Sequence, residues 1–222
     1  NDLFIHQKIV RDYLNLYAPY RGLLLYHGLG SGKTCSSIAI AESLKSNKKI
    51  KVLTPASLKQ NYLEEIKKCG DIFYKTTHHW KFLNVDAEVY TLNVIEALAD
   101  LLNVSKSWVK KYKGLWVIDT NMPPNYENLS ILDKRNLNMQ IEEMIKAKYE
   151  FISYNGLNIN RYNKLSKDNK INIFDNSVVI IDEAHNFISR IVNKIKQEDS
   201  LWNILYNRLM EAENAKIVLL SG

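Results

Sequence analysis

An apolar tetrapeptide at 23–26 runs into a loop with glycines at 28, 30 and 32. Lys33 and Thr34 follow, and then a stretch of small and apolar residues. That order leaves few folds open. Glycines at alternate positions let the backbone approach a ligand that side chains would keep away. A fully apolar strand entering such a loop needs cover on both faces, which implies strands alternating with helices. The alternation recurs along the chain. Segments 49–54, 149–154, 178–181 and 215–220 read as short buried strands, the first of them closed by Pro55. Between them, helical spacing marks 3–16, 34–44, 57–68, 137–148, 183–196 and 201–212. The expected fold class is α/β, with a mainly parallel sheet and helices on both faces.

The middle of the chain is less regular. Strands at 88–92 and 115–118 and a helix at 94–102 are expected, with a proline-containing loop at 121–130 and a polar loop at 155–172. Residues 1–222 are read as one domain, with about 75–149 as a decorated insertion.

Composition narrows the function classes. Apolar runs are strand-sized, as at 177–181, and fall far short of the roughly 20 residues of a membrane helix. The start, "NDLFIHQKIV", has no basic segment followed by an apolar one, so no signal peptide is expected. It also lacks an initiator Met, as expected of a piece of something longer. The net charge of +6 suits contact with a polyanion, where each cation placed on a phosphate releases counterions. Cys35 and Cys69 offer no disulfide framework, and Cys69, His78 and His79 lack zinc-site spacing. A reducing, intracellular setting is the expectation.

The chemistry follows from the loop. Amides around Gly28, Gly30, Ser31 and Gly32 can cradle phosphate oxygens at the positive end of the following helix. Lys33 would bridge the β- and γ-phosphates of ATP, and the Thr34 hydroxyl would hold Mg²⁺. The strict GxxxxGK pattern asks for glycine at 27, where this chain has His27.

A second motif, "SVVIIDEAHNF" at 177–187, delivers Asp182 and Glu183 at the end of an apolar strand. Open α/β sheets place ligands at such strand ends. Asp182 can hold Mg²⁺ through water while Glu183 polarises the attacking water. The aromatic set Trp80, Phe82, Trp108, Tyr112 and Trp116 reads as core of the insertion, and Lys110, Lys111 and Lys113 as a solvated face.

With both motifs in place, the chain resembles the first RecA-like domain of superfamily 2 helicases and translocases over nearly its whole length. Residues 28–34 look like motif I, Asp182-Glu183-Ala184-His185 like motif II, and "KIVLLSG" like the start of motif III. "VLTPASLKQNYLEEIKK" is similar to motif Ia of the Swi2/Snf2-like branch, and "LFIHQKIVRDYL" looks like the adenine-reading glutamine motif. "LLLYHGLGSGKT", "KYEFISYNGL" and "VIIDEAHNFISRI" look most like the early transcription factor small subunit and nucleoside triphosphatase I of poxviruses and giant viruses. His27 fits that viral branch.

The resemblance implies an ATPase half-site of Lys33, Thr34, Asp182 and Glu183, with Gln7 reading adenine. It makes His185 and Ser221 the link between nucleotide state and nucleic-acid grip, and sets Thr54, Ser57 and Ser153 against the phosphate backbone. It further implies a second RecA-like domain carrying an arginine finger, so that residues 1–222 alone would hydrolyse ATP weakly or not at all. Nucleic acid, DNA rather than RNA, is the implied partner, with RNA polymerase or another transcription factor subunit beside it. The implied location is the virion and host cytoplasm. A nucleotide-gated assembly or promoter-recruitment module using ATP as a switch is the alternative. A P-loop kinase is disfavoured by the DEAH strand.

Overall fold

The computed structural model describes residues 4–26, 28, 32–85, 91–194, 196–197 and 199–222. In chain order the elements are α1 (Ile5–Tyr13), β1 (Gly22–Tyr26), α2 (Lys33–Leu44), β2 (Lys49–Thr54), α3 (Lys59–Cys69), β3 (His79–Asn84), α4 (Leu92–Leu102) and α5 (Lys106–Tyr112). There follow β4 (Gly114–Asp119), α6 (Ile131–Lys148), β5 (Tyr149–Ser153), α7 (Ile159–Ser166), β6 (Ser177–Ile181), α8 (Ala184–Val192), α9 (Leu201–Glu211) and β7 (Lys216–Ser221). The chain forms two compact units, one of residues 1–65 and 149–222, the other of residues 66–148.

Among the described residues of the first unit, five strands pair in parallel in the order β1-β7-β6-β2-β5. The central strand β6 is buried at every position, because both its faces are covered. Val179 and Ile181 join one apolar cluster with Tyr154, Tyr162, Phe187 and Leu205, drawing in α7, α8 and α9. Alternation turns Val178 and Ile180 to the opposite face, where α2 contributes Ile38, Ile40 and Leu44, all buried. This is the expected α/β sheet with helices on both faces.

The second unit departs from expectation in its strands. β3 and β4 form an antiparallel pair, with Trp80 opposite Ile118 and Phe82 opposite Trp116. β3 was not foreseen, and the strand expected at 88–92 falls largely on residues outside those described, α4 beginning at Leu92. Gly114 admits no side chain, since a Cβ there would lie 2.3 Å from the Leu83 carbonyl oxygen.

Each edge of this ribbon is closed by one amide side chain. Asn125 accepts from the Trp80 N–H at 2.8 Å and donates to its carbonyl at 2.9 Å. Gln140, fully buried, does the same for Trp116, at 2.8 Å in both directions. Trp80 and Trp116 are core, whereas Trp108 and Tyr112, half-buried, meet each other at a tilt with ring centroids 4.2 Å apart.

Candidate active site

The parallel sheet sends its ligand-bearing loops to one end. β1 leads to Gly28 and α2, and β6, two strands away, leads to Asp182 and Glu183. Gly32 caps α2 in the left-handed region, with φ 79°. A side chain there is also barred by space, since its Cβ would meet the Gln7 amide nitrogen at 2.8 Å. Lys33 turns its ammonium back over the loop and donates to the Gly28 carbonyl at 3.1 Å. His27, Gly30 and Ser31 lie outside the described residues.

Helix α2 is held in register by hydroxyls. Ser36 donates to the Gly32 carbonyl at 3.1 Å, and Ser37 to the Thr34 carbonyl at 2.8 Å. The Ser37 hydroxyl also meets that of Tyr62 at 2.7 Å. Tyr62 is buried, and burial pushes its phenol well above the ordinary value. A cavity of about 440 Å³ is lined by Gly32, Lys33, Thr34, Tyr62, Asp182 and Glu183. Cys35 also lines it, and neither Cys35 nor Cys69 is a free thiol, contrary to the reduced pair expected.

Asp182 is fixed from several sides. Its N–H donates to the Leu53 carbonyl at 2.8 Å. One carboxylate oxygen accepts from the Thr54 hydroxyl at 3.2 Å and the other from the Glu183 N–H at 3.1 Å. Burial, and then the neighbouring Glu183 charge, raise its pKa above the usual carboxylate value, with Thr54 and Lys33 opposing. Hard oxygen donors at Thr34 and Asp182, around a cavity that also holds Lys33, fit a phosphate-bound divalent cation.

Glu183 has a left-handed backbone, φ 49° and ψ 50°, which costs a non-glycine residue energy unless its surroundings hold it there. Tyr154 supplies the hold. Its hydroxyl donates to the carbonyls of Asp182 at 3.3 Å and Glu183 at 3.4 Å. Beyond the carboxylates, His185 Nδ1 lies 3.1 Å from the Ser221 hydroxyl, and Nε2 lies 3.5 Å from Glu183 Oε2. The two residues expected to couple nucleotide state to grip are therefore in contact.

The remaining expected residues fall differently. Gln7 is buried, accepting from the Phe4 N–H at 3.0 Å and reaching the Gly32 carbonyl at 3.5 Å, so it lies against the phosphate loop. Thr54, expected on a nucleic-acid backbone, is instead buried and spends its hydroxyl on Asp182. The Ser153 oxygen is buried with no hydrogen-bond partner among the described residues. Ser57 is exposed, in a short turn before α3. Tyr62 and Tyr154 were not singled out from sequence, although both lie inside motif phrases that were.

Burial, followed by the charges of Asp182 and Glu183, pushes the Tyr154 phenol up to about 12. An unfolded tyrosine titrates near 10. The folded state therefore holds its proton more tightly. That stability is complete below about pH 10 and is lost as pH rises towards the folded value. Tyr154→Phe should accordingly flatten the alkaline loss of stability above about pH 10, read by denaturant unfolding at stepped pH. An unchanged alkaline slope would contradict it.

A parallel sheet carrying a phosphate loop at one strand end and paired carboxylates at another is the architecture of the RecA-like P-loop NTPases. The family described as the type III restriction enzyme res subunit matches residues 6–219. The chain belongs to that family, as an N-terminal RecA-like domain of the superfamily 2 helicase kind. It is 30% identical over 220 residues to an Acanthamoeba polyphaga mimivirus protein named as an ATP-dependent RNA helicase, covering 98% of this chain and 29% of that protein. An Invertebrate iridescent virus 3 protein named as a helicase is 27% identical over 221 residues, covering 100% of this chain and 18% of that one. A termination factor NPH-I homologue of African swine fever virus is 27% identical over 203 residues, 91% of this chain and 20% of the homologue. The chain thus spans less than a third of each of these relatives.

Proposed function

We propose that this chain is the ATPase half of an ATP-dependent nucleic-acid helicase or translocase, driven by DNA and acting in viral early transcription. The observation that carries the reading is Lys33, Thr34, Asp182 and Glu183 around one cavity, with His185 joining Glu183 to Ser221. The Thr34 hydroxyl and Asp182 carboxylate would hold Mg²⁺. Bound there, the ion would neutralise charge on the phosphates. Lys33 swings from the Gly28 carbonyl to the β- and γ-phosphate oxygens, and Glu183 accepts the proton of the attacking water. His185 passes any displacement of Glu183 to Ser221 at the end of β7. An arginine from a second RecA-like domain completes the site.

Transcription is favoured by the name of the African swine fever virus relative, a termination factor. The mimivirus relative is named for RNA, so the nucleic acid is the point to test. ATP turnover of the whole protein should rise at least about tenfold with DNA and stay near its basal rate with RNA, as DNA engagement orders the catalytic groups. Stimulation by RNA alone would overturn the DNA reading. An intracellular site of action, in virion and host cytoplasm, accompanies the proposal.

A further inference from the structure

Three cations converge where the strands of the first unit begin. Arg21 immediately precedes β1, Lys48 immediately precedes β2, and Lys216 opens β7. With Tyr20, Glu211 and Asn214 they line a cavity of about 440 Å³. Phosphate loop and carboxylates follow the other ends of their strands, so a strand length of roughly 17–20 Å separates the two places.

The lysines are only 6% and 8% exposed. Lys48 donates to the main-chain and side-chain oxygens of Asn214, both at 2.5 Å. Lys216 donates to the carbonyls of Ala18 and Tyr20, both at 2.7 Å. Arg21 donates to the carbonyls of Met210, Leu209 and Ala212 at 2.5, 2.7 and 3.1 Å. All these partners are neutral, and among the described residues no carboxylate forms an ion pair with any of the three.

Arg21 has a structural explanation. It closes the C-terminal end of α9, whose dipole amounts to about half a negative charge. The two lysines have no such offset. Neutral amides would satisfy the same carbonyls without the cost of burying charge. Burial, and then the charge of Lys216, push the Lys48 pKa down, and burial does the same to Lys216. Glu211 sits exposed on the rim and counters neither shift. Each ammonium has three N–H donors and spends two on the carbonyls, which leaves one apiece for a ligand.

We propose that this cavity is a second phosphate-binding site, in which Lys48 and Lys216 together grip a phosphoryl group. Tyr20 gives the ligand class. The residue is 49% exposed, and its ring stacks on that of Tyr13 with centroids 4.5 Å apart and planes 8° from parallel. An aromatic platform beside paired cations suits a base attached to the phosphate, whether a free nucleotide or a nucleic-acid strand.

The test uses the whole chain carrying Lys33→Ala, so that the phosphate loop does not compete. Calorimetric titration with inorganic pyrophosphate should show one site per chain, weakened about tenfold or more by Lys48→Met and by Lys216→Met, which keep the stems but lose charge-assisted hydrogen bonds. Should either variant unfold, protection of Lys48 and Lys216 from acetylation by pyrophosphate reads the same site without a further substitution. AMP and a short single-stranded oligonucleotide run as parallel arms, and whichever protects better identifies the source. Absence of pyrophosphate binding in the Lys33→Ala chain, binding indifferent to both methionine variants, or no protection would each overturn the proposal.

Discussion

Glu183→Gln should lower ATP turnover of the whole protein by about 10²–10⁴-fold, the usual worth of a general base, while ATP affinity stays near that of the wild type. The glutamine side chain has the same shape, can retain the left-handed backbone under the Tyr154 hydroxyl, and leaves Asp182 and Lys33 in place. Only the ability to take a proton from water is lost. Lys33→Ala is the contrast, since it removes a phosphate contact and should weaken binding as well. Steady-state turnover with a parallel nucleotide-binding titration separates the two. Wild-type turnover in Glu183→Gln would remove Glu183 from the chemistry. Retained biological activity of a hydrolysis-dead Glu183→Gln protein would favour ATP as a switch instead.

The largest effect on stability is expected from Gln140→Ala. Its side chain pairs with both outward-facing backbone groups of Trp116 in a fully buried setting. Removing it strands a buried N–H and a buried carbonyl and opens a cavity. Each unsatisfied group costs about 1–3 kcal/mol, so the second unit should lose about 2–6 kcal/mol. Denaturant unfolding should show this loss, with amide exchange quickening at Trp116 before β2 or β6. A loss below about 1 kcal/mol would mean that water takes over the role of the amide.

What the sequence made visible follows burial. β2 and β6, covered on both faces, are near-continuous apolar runs bounded by turn residues, and their limits were read almost to the residue. β3 escapes the pattern because it buries only Trp80 and Leu83, with exposed Lys81 and Phe82 between them and no alternation of apolar and polar residues. Helix α7 lies inside the expected polar loop, since only Tyr162 and Ser166 are fully buried and Leu165 alone joins them against the core.

The same logic divides the site. Lys33, Thr34, Asp182 and Glu183 belong to contiguous motifs, each with local chemistry legible on its own. Tyr154 acts on Asp182 from 28 residues away, beyond the reach of any local pattern, so only the fold reveals the contact. Thr54 illustrates a different limit. As the last residue of a strand buried along nearly its whole length, its hydroxyl turns inward, and a motif likeness carries no information on that direction.

The pairing of β1 with β7 bears on how the protein is made. Gly22 pairs in register with Ile217, whose N–H donates to the Arg21 carbonyl at 2.9 Å, so the sheet cannot close until almost the last of these residues has left the ribosome. At roughly 5–20 residues per second, β1 waits on the order of ten seconds or longer with its backbone unpaired. During that interval Leu24 and Tyr26, exposed even in the finished fold, lie on an open edge of the nascent chain. The phosphate loop, hung from the end of β1, thus gains its support only after β7 has been made.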